Sequence, residues 1–523
     1  MLRYDSRIHT GGGGKAEINM KTPIIFCAAA ALCVLFFAQG YRFIRQVGLE
    51  EDEVLSIAAI LKPVEATGWF GKLPIMIESY AGTLEALVYR EIFRVVPPSA
   101  QSVRLPVLLL GTATLFLFFL FFRMTIGDAG ALIATALLAA DPIFIISTVL
   151  NFGMDAVQHF LAAAILLLLV LFHRRGDVRL LKAACFLCGL ALWDKVTFVW
   201  FLTGMAVGGL AVFRAEIRQH ATWRNAKLGV AWVALGAAPL IYFNVISPAA
   251  TIRQSGRVQA PSVERVNVMR MSLDGSSLFG WLTRQEDGTA SREPQTAVER
   301  AGVALSDAVG HPEWHGLAFA CIASLLMWRN RTTRFCPIAF AAGWIAMLPF
   351  PMGAGGAHHI VQLWPLPQMM VASALCAIPR IKPYVAVAAA APLVIWCALV
   401  TNEYYAQIVT RGNVPDWSDA VEPLRKQLVE TPNGGILTLD WGIMGPLRAI
   451  GRGELPLRFW QSGQARTLAE NPNFIFVRYL DRQGRDDDKF AALRNTGLRE
   501  ELIADISDRN GRPVYRVVRY REP

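Results

Sequence analysis

Residues 102–145 read SVRLPVLLLGTATLFLFFLFFRMTIGDAGALIATALLAADPIFI. The stretch contains two apolar runs, and a helix needs about 20 such residues to cross a bilayer core of about 30 Å. The runs predict membrane spans at about 103–122 and 129–149. Two such spans in close succession indicate a polytopic membrane protein, and the rest of the chain is interpreted on that basis.

The composition agrees with a mainly α-helical membrane protein. Of the 523 residues, 54% are hydrophobic and 18% are charged, whereas soluble proteins carry about 25% charged residues. The net charge of +10 does not indicate a nucleic-acid partner, because the arginines and lysines lie largely between apolar runs, where they orient a membrane protein. The eight cysteines lie within or beside apolar runs, so no disulfide scaffold is predicted.

Further apolar runs bring the predicted number of membrane spans to about eleven. They lie at about 23–38, 156–172, 180–194, 196–213, 227–246, 314–328, 336–350, 359–378 and 384–401. Short loops on one side of these spans are rich in Arg and Lys. The short loops on the other side contain one basic residue, Lys195. The positive-inside rule therefore predicts a cytoplasmic N-terminus and an outward-facing C-terminal region.

Polar segments divide the chain around a transmembrane domain at 23–401. Residues 1–22 predict a disordered cytoplasmic leader, and the run after them is interpreted as an uncleaved span rather than a signal peptide because many spans follow. In a first outer loop at 41–102, EVLSIAAILK and TLEALVYREIFRVV predict amphipathic helices at the membrane surface. A second outer loop, 247–312, shows no clear helical pattern.

The remainder, 402–523, predicts a small extracytoplasmic α/β domain. Strands are predicted in GGILTLDWG, NFIFVRYL and RPVYRVVRYR. DDDKFAALRNTG predicts a short helix with acidic residues at its start.

An acidic cluster, Glu50, Glu51, Asp52 and Glu53, opens the first outer loop. One interpretation is a helix start, since carboxylates in a first turn are favoured by the helix dipole. The other is a general base at the membrane surface, acting on a substrate that resides in the membrane. The residue pattern alone supports both.

Four further candidates lie at or near the predicted outer ends of spans. Asp155, in NFGMDAVQHF, must face protein or water, because a charge within the hydrocarbon costs several kcal/mol; Asp141 is similar, and for both a helix-start role is the alternative. His358 and His359 follow the glycine-rich MGAGGA and could bind a substrate hydroxyl or phosphate. Neighbouring helical residues diverge by about 100°, so the two histidines do not predict one metal site.

Basic residues are rare on the predicted outer side. Lys72, Arg104 and Lys195 could each hold a phosphate at the membrane surface, with Arg suited to bidentate contact. The alternatives are snorkelling to the interface or pairing with an acid, and Asp194 stands next to Lys195. The sequence contains no GxxxxGK[ST], GxSxG or HExxH motif, so it predicts no nucleotide loop, nucleophile elbow or recognisable metal ligand set.

Several stretches together resemble the membrane-embedded GT-C glycosyltransferases of the protein mannosyltransferase and aminoarabinose transferase type, which are family 39-like. They are EEDEVLSIAAILKPVEATGW, the 102–145 stretch, NFGMDAVQHFLAA and FLCGLALWDKVTF. Their order and spacing match the acidic first-loop motif, the RLP-bearing second span, the acid-bearing fourth span and the GLA.L.K stretch of that family. The strong match covers about 23–215.

The resemblance implies a transferase that takes a sugar from a polyprenyl phosphate. It assigns activation of the acceptor to Asp52, with Glu53 as helper, and makes Arg104 a contact for the donor phosphate or an acid partner. Lys72 matches a first-loop basic residue only weakly, because GKLPIMIESYAGTLEALVY replaces the usual context. Metal dependence varies within the fold, so a divalent metal is left open as a cofactor.

The sequence thus predicts a glycosyltransferase, hexosyl or pentosyl, in a bacterial inner membrane. Its predicted partners are a polyprenyl-phosphate sugar, membrane lipid and an acceptor glycan, lipid or protein. The predicted site comprises Asp52 and Glu53 as catalytic residues and, as substrate-binding residues, Arg104, Lys72, Asp155, Lys195, His358 and His359. The alternatives are a transporter or flippase and a non-catalytic scaffold, and Asp440–Gly442 (DWG) is either an acceptor contact or a turn.

Overall fold

The computed structural model describes residues 22–61, 67–255, 262–285, 291–310, 316–350, 353–480 and 487–522. Of the predicted leader only Thr22 lies within these residues. The chain begins with a mainly helical part and ends with a mixed sheet.

The helices, numbered in chain order, have the following bounds. They are α1 (Thr22–Tyr41), α2 (Glu51–Leu61), α3 (Leu84–Ile92), α4 (Ala100–Ala140), α5 (Pro142–Leu150), α6 (Asp155–Arg175), α7 (Val178–Asp194), α8 (Phe198–Val212), α9 (Arg214–His220), α10 (Trp223–Gly236), α11 (Ala238–Ile246), α12 (Ala250–Ser255), α13 (Val263–Asp274), α14 (Ala297–Val309), α15 (Gly316–Ser324), α16 (Arg331–Met347), α17 (Ala357–Ile360), α18 (Leu366–Ala377), α19 (Pro383–Arg411), α20 (Val421–Glu430), α21 (Met444–Ile450), α22 (Ala465–Ala469) and α23 (Asp487–Arg494). Short 3₁₀ turns lie at Leu325–Met327, Val361–Leu363, Pro415–Trp417 and Ser462–Gln464.

The strands form two sheets. The first contains β1 (Gly68–Phe70), β2 (Leu73–Glu78) and β3 (Ala81–Gly82), and the second contains β4 (Gly435–Thr438), β5 (Leu457–Arg458), β6 (Phe474–Tyr479), β7 (Arg499–Ser507) and β8 (Pro513–Arg521).

Four described helices, α1, α4, α6 and α19, are long and apolar enough to cross a membrane. The number rises to seven if three bent pairs each count as one span: α8 with α9, α10 with α11, and Ala357–Leu363 with Leu366–Ala377. The apolar helices indicate a membrane protein, but the predicted number of about eleven spans is not confirmed. The count takes the 41 residues of α4 as one span, although the helical backbone of α4 breaks at Gly127, between predicted spans two and three.

Within the 102–145 stretch, α4 consists of two helices that meet at a kink at Gly127, between the predicted spans at 103–122 and 129–149. Ser99 and Ser102 form a capping box that starts α4. Gly127 breaks its helical backbone with a φ of 77°, a left-handed conformation that glycine adopts without steric cost. Asp141 ends α4 and caps α5, where its carboxylate accepts the Phe144 N–H, as expected of a helix-start acid.

The first loop contains more than the two predicted helices. α2 and α3 confirm the helical spacing in EVLSIAAILK and TLEALVYREIFRVV, but the antiparallel sheet β1–β2–β3 lies between them. Its edge continues into the loop after α7: Ala81 pairs with Lys195, and the Val196 N–H donates to the Tyr80 carbonyl at 2.9 Å. This pairing attaches the first loop to the end of the helical bundle.

The prediction of no helix in the 247–312 loop is wrong. α12, α13 and α14 lie there, and α14 starts with a capping box between Thr296 and Glu299. The sequence signal was present but short, because the helices are of 6, 12 and 13 residues.

The C-terminal sheet has the order β5-β4-β6-β8-β7, parallel between β4 and its neighbours and antiparallel at β6-β8-β7. β4, β6, β8 and α23 confirm the predicted elements. Alternate strand residues bury side chains on the two faces: Ile436 and Val477 on one, Leu437 and Phe476 on the other. α19 continues without a break through residue 402 to Arg411.

Candidate active site

The acidic cluster is divided by burial. The Glu50 carboxylate is buried and accepts the backbone N–H groups of Asp52 (2.8 Å) and Glu53 (3.3 Å), so it caps α2. Burial raises the pKa of Glu50 well above its usual range, and the nearby charge of Asp52 adds to the rise. Asp52 lies in the first turn with its side chain exposed.

Glu53 and Arg104 form an enclosed ion pair. Both side chains are 0% exposed, and the guanidinium contacts the carboxylate through Nε (2.5 Å) and Nη2 (2.7 Å). The remaining Arg104 donors reach the carbonyl oxygens of Ile44, Val47 and Gly48 at 2.6–2.9 Å. Burial raises the pKa of Glu53, and Arg104 opposes that rise. Every guanidinium N–H is therefore used within the protein, so the geometry favours the acid-partner role for Arg104.

A second buried cation, Lys195, lies between carboxylates of four elements. Its ammonium interacts electrostatically with Asp155, Asp52, Asp194 and Glu85, in decreasing order. Its Nζ donates to the Gly153 carbonyl at 2.5 Å. We call Glu85, Asp155, Asp194 and Lys195 the Lys195 cluster.

The carboxylates of the Lys195 cluster are incompletely hydrogen-bonded. Both oxygens of Asp155, Oδ1 of Asp194 and Oε2 of Glu85 are buried and accept no hydrogen bond from any described residue. Most buried polar atoms in proteins have a partner, and an exception calls for an explanation. Burial raises the pKa of Glu85 to about 8, with the charge of Asp194 adding to the effect.

The NFGMD segment, residues 151–155, brings its backbone close to the Lys195 ammonium. Asn151, Gly153 and Met154 all have left-handed backbone conformations, with φ of 49°, 77° and 62°. A Cβ at Gly153 would lie 2.9 Å from the Lys195 Nζ, so the close approach requires glycine. Asn151 donates from Nδ2 to Glu85 Oε1 at 2.5 Å and thereby connects the segment to α3.

Of the other predicted residues, His358 and His359 lie near the cluster, with ring centres 4.0 Å apart, and Lys72 lies apart from it. His358 lies beside Gly153 and packs edge-on to Phe152, with ring centres 5.5 Å apart. His359 is buried and packs against Trp200. Lys72 is exposed in the turn between β1 and β2, and the structure describes no contact between it and the cluster.

Three residues of the site had no role in the sequence prediction: Glu85, Asn151 and Gln158, whose Nε2 donates to Asp194 Oδ2 at 2.6 Å. Glu85 carried a weak signal as an acid in the first turn of a predicted amphipathic helix. Within the described residues, no group of three or more His, Cys, Asp or Glu side chains is arranged to hold a metal ion.

Comparison with known proteins supports the resemblance seen in the sequence. Residues 85–243 match the family model of dolichyl-phosphate-mannose-protein mannosyltransferases. This segment contains the whole Lys195 cluster and Arg104, but not Asp52. No curated protein sequence matched the chain.

Solved structures match over nearly the whole chain. ArnT from Cupriavidus metallidurans matches in its apo state (TM-score 0.58) and bound to undecaprenyl phosphate (TM-score 0.55), each at 13% identity over 95% of this chain and 98% of ArnT. The apo Archaeoglobus fulgidus oligosaccharyltransferase matches with a TM-score of 0.50 at 14% identity, over 94% of this chain and 75% of its own. The chain thus has the fold of these membrane glycosyltransferases, and the predicted GT-C resemblance is confirmed.

Proposed function

We propose that this chain, which shares the GT-C fold of the protein mannosyltransferase and ArnT type, is an integral membrane glycosyltransferase. It moves a sugar from a polyprenyl phosphate to an acceptor hydroxyl or similar group on the outer face of a bacterial inner membrane. The observation that carries the proposal is the Lys195 cluster, in which a buried ammonium lies among carboxylates with unsatisfied oxygens. Asp52, exposed in the first turn of α2, interacts electrostatically with the same ammonium.

Asp52 is assigned the role of general base. Its exposed carboxylate can meet an acceptor, whereas the buried Glu50 carboxylate caps α2. The acceptor O–H proton passes to Asp52 as the oxygen attacks the anomeric carbon. The bond between that carbon and the phosphate oxygen breaks, and the lipid phosphate leaves with one additional negative charge.

Lys195 is assigned the role of stabilising the negative charge that develops on the leaving phosphate. A positioned cation in a site of low dielectric stabilises such a charge by a few kcal/mol. Arg104 was the other candidate, but its N–H groups are all used by Glu53 and backbone carbonyls. We therefore assign Arg104 and Glu53 to bracing α2 rather than to the chemistry.

Asp155 and His358 are assigned to substrate contact. Two buried carboxylate oxygens of Asp155 without hydrogen bonds are suited to accept from sugar hydroxyls, because each unpaired buried acceptor is otherwise costly. His358 borders Gly153 at the same end. His359 and Lys72 stay predictions without such support.

The test is transfer by purified protein in vesicles that contain polyprenyl-phosphate sugars, with Asp52→Asn compared with the parent. We expect the variant to lose about 10²–10⁴-fold in transfer rate, the usual contribution of a general base. Asp307→Asn, which removes an exposed carboxylate from α14, is the matched control and should retain the parent rate.

Full transfer by Asp52→Asn would remove Asp52 from the mechanism. If no donor supports transfer by the parent while labelled lipid-linked substrate crosses the vesicle membrane, the transporter alternative is correct instead.

A further inference from the structure

We infer that the C-terminal domain positions the catalytic turn of α2, through a contact between Glu51 and Gly445. The inference rests on the proposed function, because it takes Asp52 as the base. It assigns Glu51 and Gly445 the role of positioning residues.

The contact joins the acidic cluster to α21. The Gly445 N–H donates to Glu51 Oε2 at 2.9 Å. A Cβ at position 445 would lie 2.5 Å from Glu51 Oε1 and 2.9 Å from Oε2, distances too short for a side chain. Alanine at position 445 would therefore displace the end of the flexible Glu51 side chain from this contact.

A second contact holds the segment that enters α2. The Gly48 N–H donates to the Trp417 carbonyl at 2.8 Å, and a Cβ at Gly48 would overlap the Ser418 carbonyl. Between these two contacts, Ala449 of α21 packs in one apolar cluster with Leu49 and α2 residues. The C-terminal domain thus contacts α2 both before and within its first turn.

The DWG turn places α21 for this contact. Asp440 accepts the Tyr479 N–H at 2.8 Å, and the Tyr479 hydroxyl donates to the Gly442 carbonyl at 3.3 Å. Gly442 has a φ of 90°, which favours glycine. Both bonds tie the turn to β6, so the C-terminal sheet determines where Gly445 lies, and the geometry supports the turn interpretation of DWG.

Asp52 is consequently held between two anchors. The residue before it is bound to the C-terminal domain, and the residue after it is bound to Arg104 of α4. Misplacement of a reacting group by about 1 Å can cost about 10²-fold in rate. Fixing both neighbours therefore orients the first turn of α2, which carries the Asp52 carboxylate.

The experiment compares Gly445→Ala, Glu51→Ala and Glu51→Gln in the full-length protein. We expect both alanine variants to lower kcat about 10- to 100-fold while the donor KM changes less than about twofold. Glu51→Gln keeps an oxygen that can accept the Gly445 N–H, so it should return most of the rate. Gly463→Ala is the matched control, because a Cβ there meets nothing within 4 Å.

Hydrogen exchange of the amides at 50–56 provides a readout that does not need activity. Exchange should be faster in both alanine variants and unchanged in Gly463→Ala. Parent-like exchange and kcat in Glu51→Ala would overturn the inference, as would a Glu51→Gln variant as impaired as Glu51→Ala. If the parent transfers no sugar, the proposed function fails, whereas faster exchange would still support the contact.

Discussion

Two buried cations at the same end of the bundle have opposite surroundings. Arg104 faces one carboxylate, and all its donors are used by Glu53 and three backbone carbonyls. Lys195 interacts with four carboxylates, and among the described residues several of their oxygens accept no hydrogen bond. The first site is complete within the protein, whereas the second has acceptor capacity left over.

The difference separates a structural pair from the proposed binding site. A saturated pair offers nothing to a ligand, and removing one partner leaves an uncompensated buried charge. Buried acceptors without a donor cost stability in the protein alone, and we propose that a substrate supplies the missing donors to the Lys195 cluster. The comparison therefore predicts stability effects at Arg104 and activity effects at Lys195.

The largest effect is expected from Arg104→Met, which leaves the Glu53 carboxylate buried without its partner. We expect a loss of about 3–5 kcal/mol in the free energy of unfolding, the usual cost of breaking a buried pair. Thermal unfolding in detergent measures it. The double variant with Glu53→Met removes both charges and should recover much of the stability. A stable Arg104→Met protein with weakened donor binding would instead return Arg104 to the phosphate site.

The next effect concerns Lys195→Met, which keeps the length of the side chain and removes its charge. We expect transfer to slow by about 10²–10³-fold, because the leaving phosphate loses its cation. Initial rates at saturating donor measure it. Lys426→Met removes an exposed lysine from the C-terminal domain and should leave the rate unchanged. Equal rates for the two variants would argue against the assignment of Lys195.

A third effect is a pH dependence expected from Glu85. Its pKa is raised to about 8 from an unfolded value of about 4.3, so the folded state binds the extra proton. Its stabilisation is complete below the unfolded pKa and is lost as pH rises to about 8, with a slope of up to ~1.4 kcal/mol per pH unit.

Glu85→Gln keeps an acceptor for Asn151 and removes this titration. Melting temperatures of the parent should therefore fall relative to the variant between about pH 5 and pH 8, and the gap should then level off. Parallel curves for the two proteins across that range would show that Glu85 does not hold the proton.

Apolar periodicity predicted the parts of the fold that depend on local pattern. The long helices, α2, α3 and the strands of the C-terminal sheet follow from runs of side chains that one element must bury. The sheet β1–β3 could not be predicted in this way, because its short strands depend on pairing with the loop at Lys195. The break at Gly127 falls between the two spans predicted in the 102–145 stretch, although a glycine in an apolar run does not specify its φ.

The site was predicted in its residue types but not in its partnerships. Asp155 and Lys195 stood out because charges are rare near membrane spans. Glu85 did not, because its approach to Asn151 joins segments 66 residues apart. Arg104 also donates to backbone carbonyls of residues 44–48. The direction of those carbonyls depends on the folded loop, and the residue pattern does not predict it.

The helix α19 is longer than the hydrocarbon core of a bilayer is thick. Its 29 residues extend roughly 44 Å at about 1.5 Å per residue, whereas the hydrocarbon core is about 30 Å thick. A rod of that length projects beyond the bilayer by about three helical turns, and its last part, from Val400 to Val409, is buried by neighbouring protein. Inserting or deleting one turn in α19 would change the length of the helix that leads to the C-terminal sheet by about 5 Å.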